Sequence, residues 1–149
     1  MTAFEFATRF VGIKEIVGTK DHPLISWWLS LCGFSLDAPD ETAWCSAFVN
    51  GVAWSLRLPR SKSAAARSNL LVGRSVTLAE AKAEFDVVVL KRGTGNQPGP
   101  EVTSGAPGHV GFFAGLERDR VLVLGGNQSN GVCVQSFPVS DVLGVRRLI

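Results

Sequence analysis

The sequence has 149 residues, of which 46% are hydrophobic and 19% are charged, and its formal net charge is +2 at pH 7. This size and balance fit one domain with an apolar core, predicted to span residues 1–149, and the charge is too small to argue for nucleic-acid binding. The N-terminal segment has neither a long apolar run nor a basic leader. It predicts a protein made in the cytoplasm, without a secretory signal or stable membrane insertion.

Two helices are predicted near the N-terminus. Thr2 and Glu5 fit a capping box, and the first helix should run through Phe10 or a little beyond. Asp21 and Pro23 suit the start of a second helix, and "LISWWLSLC" continues it with helical spacing up to a glycine. This spacing predicts that the cysteine at the end of the segment is buried.

A third helix is predicted from Ala43 to the "LPR" segment, which places Cys45 in its first turn. A short fourth helix is expected over residues 63–71, closed by Gly73. The second half then changes to short runs rich in Val, Leu and Phe, which predict strands at 86–90, 109–115, 120–126, 131–137 and 144–149. Helices followed by a mostly antiparallel sheet indicate an α+β fold.

The loop over residues 93–108 is long and rich in Gly and Pro. Compact domains usually keep such loops for substrate-facing roles or as mobile lids. A second notable stretch, residues 57–74, has no acidic residue and contains Arg57, Arg60, Lys62, Arg67 and Arg74. A solvated face is the preferred interpretation of this stretch, and binding of an anionic polymer is the alternative.

The chain contains three cysteines, which are Cys32, Cys45 and Cys133. They cannot all pair with one another, and their spacing does not repeat the pairs of a zinc site, so at least one thiol is free. Cys133 alternates with valines in a strand and is expected to be packed and inert. Cys45, at a helix start where the helix dipole favours a thiolate, is the candidate nucleophile.

A nucleophilic thiol needs a base, and the chain has only His22 and His109. His22 precedes an apolar helix, where a surface or capping role is the simpler explanation. His109 begins a strand between two nearby glycines that leave room for a ligand, and is the preferred base. If a hairpin joins the strands at 109–115 and 120–126, Asn127 or Gln128 comes within reach of this ring and could orient it.

Four segments, "WCSAFVN", "FDVVVL", "GHVGFF" and "VLGGNQSNGV", resemble in this order the motifs of the CHAP amidase and peptidase group. This group is a branch of the papain-like and NlpC-type peptidoglycan hydrolases, and the likeness runs from about Phe4 to Leu148. It is greatest to the small phage-type branch, in which "WC" is followed by "GHVG" and "GGNQ". One departure is Phe85, which precedes Asp86 where the family usually has glycine.

The resemblance implies that Cys45 is the nucleophile, His109 the general base and Asn127 the residue that orients the base. Gln128 is the second choice for orienting the ring and otherwise a substrate-binding residue, as is Trp44 beside the nucleophile. Core packing is expected for the tryptophans at 27, 28 and 54, and Asp86 is expected to be a structural hydrogen-bond acceptor. No metal or other cofactor is expected, although a zinc amidase is the rival hydrolase.

The implied activity is hydrolysis of amide bonds in bacterial peptidoglycan, by an N-acetylmuramoyl-L-alanine amidase or a stem-peptide endopeptidase. A phage endolysin or a related lytic effector is expected, monomeric and without a wall-binding domain, which would reach the wall through a holin, a secretion system or a virion. Two alternatives remain, a non-catalytic wall- or tail-binding module of the same fold, and a thiol acyltransferase or deamidase that acts on a protein.

Overall fold

The computed structural model describes residues 1–16, 22–36 and 43–149. The predicted helix start at Asp21 lies outside these ranges. The described α-helices are α1 (Ala3–Thr8), α2 (Pro23–Ser30) and α3 (Cys45–Ser55). The described strands are β1 (Arg74–Val76), β2 (Asp86–Lys91), β3 (Gly108–Glu117), β4 (Arg120–Gln128), β5 (Gly131–Pro138) and β6 (Val142–Arg147).

The caps of α1 and α2 confirm the helix starts predicted at Thr2 and Pro23. Thr2 and Glu5 form the reciprocal capping box of α1, although this helix already ends at Thr8. His22 is the N-cap of α2, and its Nδ1 accepts a hydrogen bond from the backbone N–H of Leu24 at 3.2 Å. The capping role expected for His22 is therefore confirmed.

The six strands form one sheet with the order β1-β6-β2-β3-β4-β5, and every neighbouring pair is antiparallel. The sequence predicted five of these strands and missed β1, which has only three residues and pairs with β6. So short a strand carries too few residues for alternation to be recognised. The α+β prediction is confirmed.

Helix α3 packs on one face of the sheet and is buried along most of its length. Alternation along β2 points Val87 and Val89 to this core, and Val88 and Leu90 to a smaller core on the other face. Phe48 of α3 is fully buried, and burial of such a side chain contributes about 1.5–3 kcal/mol. This packing fixes the start of α3 against the middle strands of the sheet.

The basic stretch over residues 57–74 is not a uniformly solvated face, because Arg67 is fully buried. The expected fourth helix is a 3₁₀ helix, Ala66–Leu71, and it carries Arg67 beneath the long loop. The guanidinium donates hydrogen bonds of 2.8–3.0 Å to the carbonyl oxygens of Pro98, Gly99, Val102 and Pro107. Arg67 therefore ties the second half of the 93–108 loop to the domain.

Candidate active site

Cys45 is the first residue of α3, and its side chain is only 3% exposed. The N-cap residue Trp44 makes no side-chain capping bond, so the N–H groups of the first turn have no cap from that side chain. The backbone N–H groups of Cys45, Ser46 and Val110 all act on the sulfur and lower its pKa. Since Val110 follows His109 in β3, the sulfur lies beside the strand that carries the histidine.

Trp44 lies in the core rather than in a substrate cleft. It is fully buried, its ring stacks on Trp28 at 6.0 Å, and its Nε1 donates to Glu15 Oε1 at 2.6 Å. A Cβ on Gly126 of β4 would lie 2.5 Å from the Trp44 ring. Large neighbours enclose the ring, so its burial argues against the expected contact of Trp44 with substrate. Glu15, which no sequence pattern marks, holds the Trp44 ring in place.

His109 is also buried, and its ring is held by Gln128. The His109 Nε2 and Gln128 Oε1 atoms are 2.8 Å apart. The Gln128 Nε2 group donates to the carbonyl oxygens of Val123 and Cys133, at 3.2 and 2.7 Å. Both partners can only accept, so the amide orientation is fixed and its oxygen must face the ring. His109 therefore carries a proton on Nε2, which leaves Nδ1 as the basic nitrogen of the neutral ring.

Asn127 was the residue expected to make this contact, and a bulge explains why Gln128 makes it instead. Gly125 pairs with Cys133 and Gln128 pairs with Gly131, so β4 contains one extra residue between these pairs. Asn127 lies in this bulge with a φ of +57°. The extra residue turns the Gln128 side chain to the face of the sheet on which a Gly125 side chain would lie. A Cβ on Gly125 would be 2.6 Å from Gln128 Oε1 and 3.5 Å from His109 Nε2, so both groups lie directly over Gly125.

The Nδ1 atom of His109 is buried and has no hydrogen-bond partner among the described residues. The thiol of Cys45 and the imidazole of His109 are therefore not hydrogen bonded to each other. Buried polar atoms are rarely left without a partner, and such exceptions often have a catalytic role. Catalytic hydrogen bonds also tend to be long in unliganded sites.

Burial sets the protonation state of both groups. It raises the pKa of Cys45, and the N–H of Val110 and the charge of Arg92 oppose this only in part. Burial lowers the pKa of His109 as its largest effect, and the hydrogen bond that His109 Nε2 donates to Gln128 works in the opposite direction. The resting pair is therefore a thiol and a neutral imidazole, since desolvation outweighs the helix-start effect expected from the sequence.

A pocket of about 180 Å³ opens beside the ring of His109. Its lining consists of Lys91, Arg92, His109, Asn127, Gln128, Ser129, Gln135 and Phe137. His109 and Gln128 are its buried members, and the Phe137 ring lies 5.2 Å from the imidazole. Asn127 thus borders the pocket without bonding the ring. Lys91 and Arg92 were not predicted as site residues, because their only signal in the sequence is their place at the end of a strand.

Asp86 and the tryptophans at 28 and 54 were expected to have structural roles. Asp86 is buried and accepts from Arg147 Nε at 2.7 Å and from the backbone N–H of Lys82, so its structural role is confirmed. Trp28 is in the core as expected, but Trp54 is 50% exposed.

The other two cysteines are both half-buried and free. The pKa of Cys32 is raised to about 11 by burial. Among the described residues, no group of three His, Cys, Asp or Glu side chains could hold a metal ion, and no helix is long and apolar enough to cross a membrane.

Comparisons with known proteins identify the fold. No protein-family model matches the sequence, and no curated protein matches it. Among solved structures, the chain is similar to NlpC1 from Trichomonas vaginalis, with a TM-score of 0.56 and 16% sequence identity. The match covers 98% of this chain and 42% of that one, so the chain spans less than half the length of that protein. The chain has an NlpC-type, papain-like α+β fold.

Proposed function

We propose that this protein is a cysteine-dependent hydrolase that cleaves amide bonds of peptidoglycan. The observation that carries the proposal is the fixed amide of Gln128, which assigns the proton of His109 to Nε2 and leaves a buried, unpaired Nδ1. The neighbouring residue, Val110, directs its N–H to the sulfur of Cys45. A buried base without a partner, on the strand whose next N–H bonds to a thiol at a helix start, supports a role in nucleophilic catalysis.

The reaction begins from the neutral pair. Nδ1 of His109 takes the thiol proton of Cys45 while the sulfur attacks the amide carbonyl carbon, which gives a tetrahedral oxyanion. The N–H groups of the first turn of α3 are the donors for this oxyanion. The intermediate collapses to a thioester as Nδ1 returns the proton to the leaving amine. Water then attacks the thioester with Nδ1 as base, which releases the carboxylic acid and restores the thiol.

Gln128 positions the base throughout this cycle. Its oxygen accepts from Nε2, so it stabilises the imidazolium that forms when Nδ1 takes the proton. The two carbonyl oxygens that hold its Nε2 group prevent rotation of the amide. A freely rotating amide could present its N–H₂ group to the ring and favour the wrong tautomer. Gln128 is therefore assigned the orienting role, and Asn127 a place at the edge of the pocket.

Peptidoglycan is the proposed substrate because the ordered motifs resemble those of CHAP-type hydrolases and the fold is of the NlpC type. The bond is either that between muramic acid and alanine or one within the stem peptide. The phage endolysin or lytic effector role belongs to the same proposal, as does action by a monomer.

The proposal is tested on purified peptidoglycan with wild type and Cys45→Ala, and with Cys32→Ala as the matched control. Mass spectrometry should find new amino and carboxyl termini with wild type and with the control, and none with Cys45→Ala. Circular dichroism checks that the variants are folded. Identical products from wild type and Cys45→Ala would contradict the proposal. An intact wall with modified glutamines on a protein would favour acyl transfer or deamidation instead.

A non-catalytic binding module is the second candidate, and the 3% exposure of Cys45 favours it. A module of this kind would sediment with peptidoglycan and release no fragments. Sedimentation of wild type and Cys45→Ala to the same extent, without fragments from either, would support this candidate.

A further inference from the structure

Two cations stand at the end of β2, next to the strand that carries the histidine. Leu90 pairs with His109 and Lys91 with Gly108 in the β2–β3 register. Lys91 and the exposed Arg92 follow directly and line the pocket beside the imidazole. Their positions are therefore set by the same strand pairing that places His109.

The two cations have no anionic partner in the described parts of the chain. None of the residues that line the pocket is acidic. The ion pair found within 1–16, 22–36 and 43–149 joins Arg147 to Asp86, which is at the other end of β2. Two positive charges without a counter-ion at the rim of a pocket are a ready site for an anion.

Arg92 is also within electrostatic reach of the reacting groups. Its charge lowers the pKa of Cys45 and the pKa of His109, in each case as a smaller effect than burial. A ligand group bound to Arg92 in this pocket would therefore lie beside the imidazole of His109, which lines the same pocket. Exposed amide and hydroxyl groups of Gln135 and Ser129 border the same pocket and can donate further hydrogen bonds.

We propose that this pocket binds a carboxylate of the substrate through Arg92, with Lys91 as the second cation, so that the enzyme selects peptides with a free carboxylate near the cleaved bond. The inference rests on the proposed function and names its substrate class. A guanidinium binds a carboxylate through two parallel hydrogen bonds, which a carboxamide cannot reproduce. Amidation of the substrate should therefore weaken its binding.

The first test measures binding without turnover. Cys45→Ala is titrated by calorimetry with a stem peptide that carries free carboxylates and with the same peptide fully amidated. We expect the carboxylate peptide to bind about fivefold tighter or more, as one partly exposed ion pair predicts. Adding Arg92→Gln should remove this preference, whereas adding Arg118→Gln should keep it, because Arg118 lies in the turn at the opposite end of β3.

The second test measures kcat/KM with two peptides that contain the bond identified in the wall digest and differ in one carboxylate or carboxamide. Arg92→Gln should lose about fivefold or more on the carboxylate peptide, mainly in KM, and less than about twofold on the carboxamide peptide. Equal losses on both peptides would mean that Arg92 acts only through the charge it exerts on the thiol and the ring, and would overturn the inference.

The two proposals fail in different ways. Equal binding of the two peptides by Cys45→Ala, or no detectable binding of either, overturns the carboxylate site even if wild type digests the wall. A carboxylate preference that depends on Arg92 in binding, without any Cys45-dependent cleavage, supports the site and contradicts the hydrolase.

Discussion

Two buried polar side chains, Arg67 and His109, differ in how completely their polar atoms are hydrogen bonded. Arg67 is fully buried and its guanidinium meets four backbone carbonyl oxygens. His109 is almost as buried, yet only its Nε2 has a partner and its Nδ1 has none. A buried polar atom without a partner costs about 1–3 kcal/mol.

Arg67 has the contacts of a structural residue, and His109 has those of a residue that can take part in a reaction. Every hydrogen bond of Arg67 goes to the loop that leads into β3, so its role is to hold that loop. Only the Nε2 atom of His109 is hydrogen bonded, which leaves the lone pair on Nδ1 able to accept a proton. We expect substitutions at Arg67 to reduce stability, and substitutions around His109 to reduce activity with smaller effects on stability.

The largest expected effect is the loss of activity in His109→Gln. Removal of a positioned general base typically costs about 10²–10⁴-fold in rate, and glutamine keeps a group that can bond the Gln128 side chain. The measurement is release of peptidoglycan fragments over time, with His22→Gln as the matched control because His22 caps α2. Activity of His109→Gln within about threefold of wild type would contradict a base role for this residue.

The next effect is on stability. Arg67→Met should reduce the free energy of unfolding by about 3 kcal/mol or more, because it leaves several buried carbonyl oxygens without their donor. Urea denaturation measures this loss, and the exposed Arg74 supplies the control Arg74→Met, expected to change stability by less than about 0.5 kcal/mol. Equal, small effects of both variants would show that the loop does not depend on Arg67.

A smaller effect distinguishes Gln128 from Asn127. Gln128→Ala should lower kcat/KM by about tenfold to a hundredfold, as loss of a group that orients a ligand or base usually does, while Asn127→Ala should change it by less than about threefold. The hydrogen bond that His109 donates to Gln128 raises the pKa of His109, so Gln128→Ala should also shift the acid limb of the pH profile to lower pH. A larger loss of kcat/KM in Asn127→Ala than in Gln128→Ala would show that Asn127 orients the ring instead.

The smallest expected effect is a pH dependence of stability that comes from His109. Burial lowers its pKa in the folded protein below the ordinary value of 6.5. The unfolded chain therefore binds a proton first as the pH falls through 6.5, and stability is lost from there down to the folded pKa. Unfolding free energies of wild type and His109→Gln, compared between pH 8 and pH 5, should diverge in this window. Parallel curves would contradict the lowered pKa.

The sequence could predict the parts of the fold and site that depend on local pattern. The capping box of Thr2 and Glu5, the helix that carries Cys45 in its first turn and the strand that contains His109 all follow from spacing within a few residues. The helix predicted over residues 63–71 formed instead as a shorter 3₁₀ helix, because packing and the buried Arg67 override a modest propensity.

Only the tertiary structure decided which side chains meet. One extra residue in β4 brings Gln128, rather than Asn127, to the ring, and alternation along the strand cannot reveal such a bulge. The burial of Trp44 and Arg67 depends on residues 29 and 31 to 40 positions away along the chain. Residue type and periodicity fix the element that each residue joins, whereas strand register and long-range packing fix what its side chain contacts.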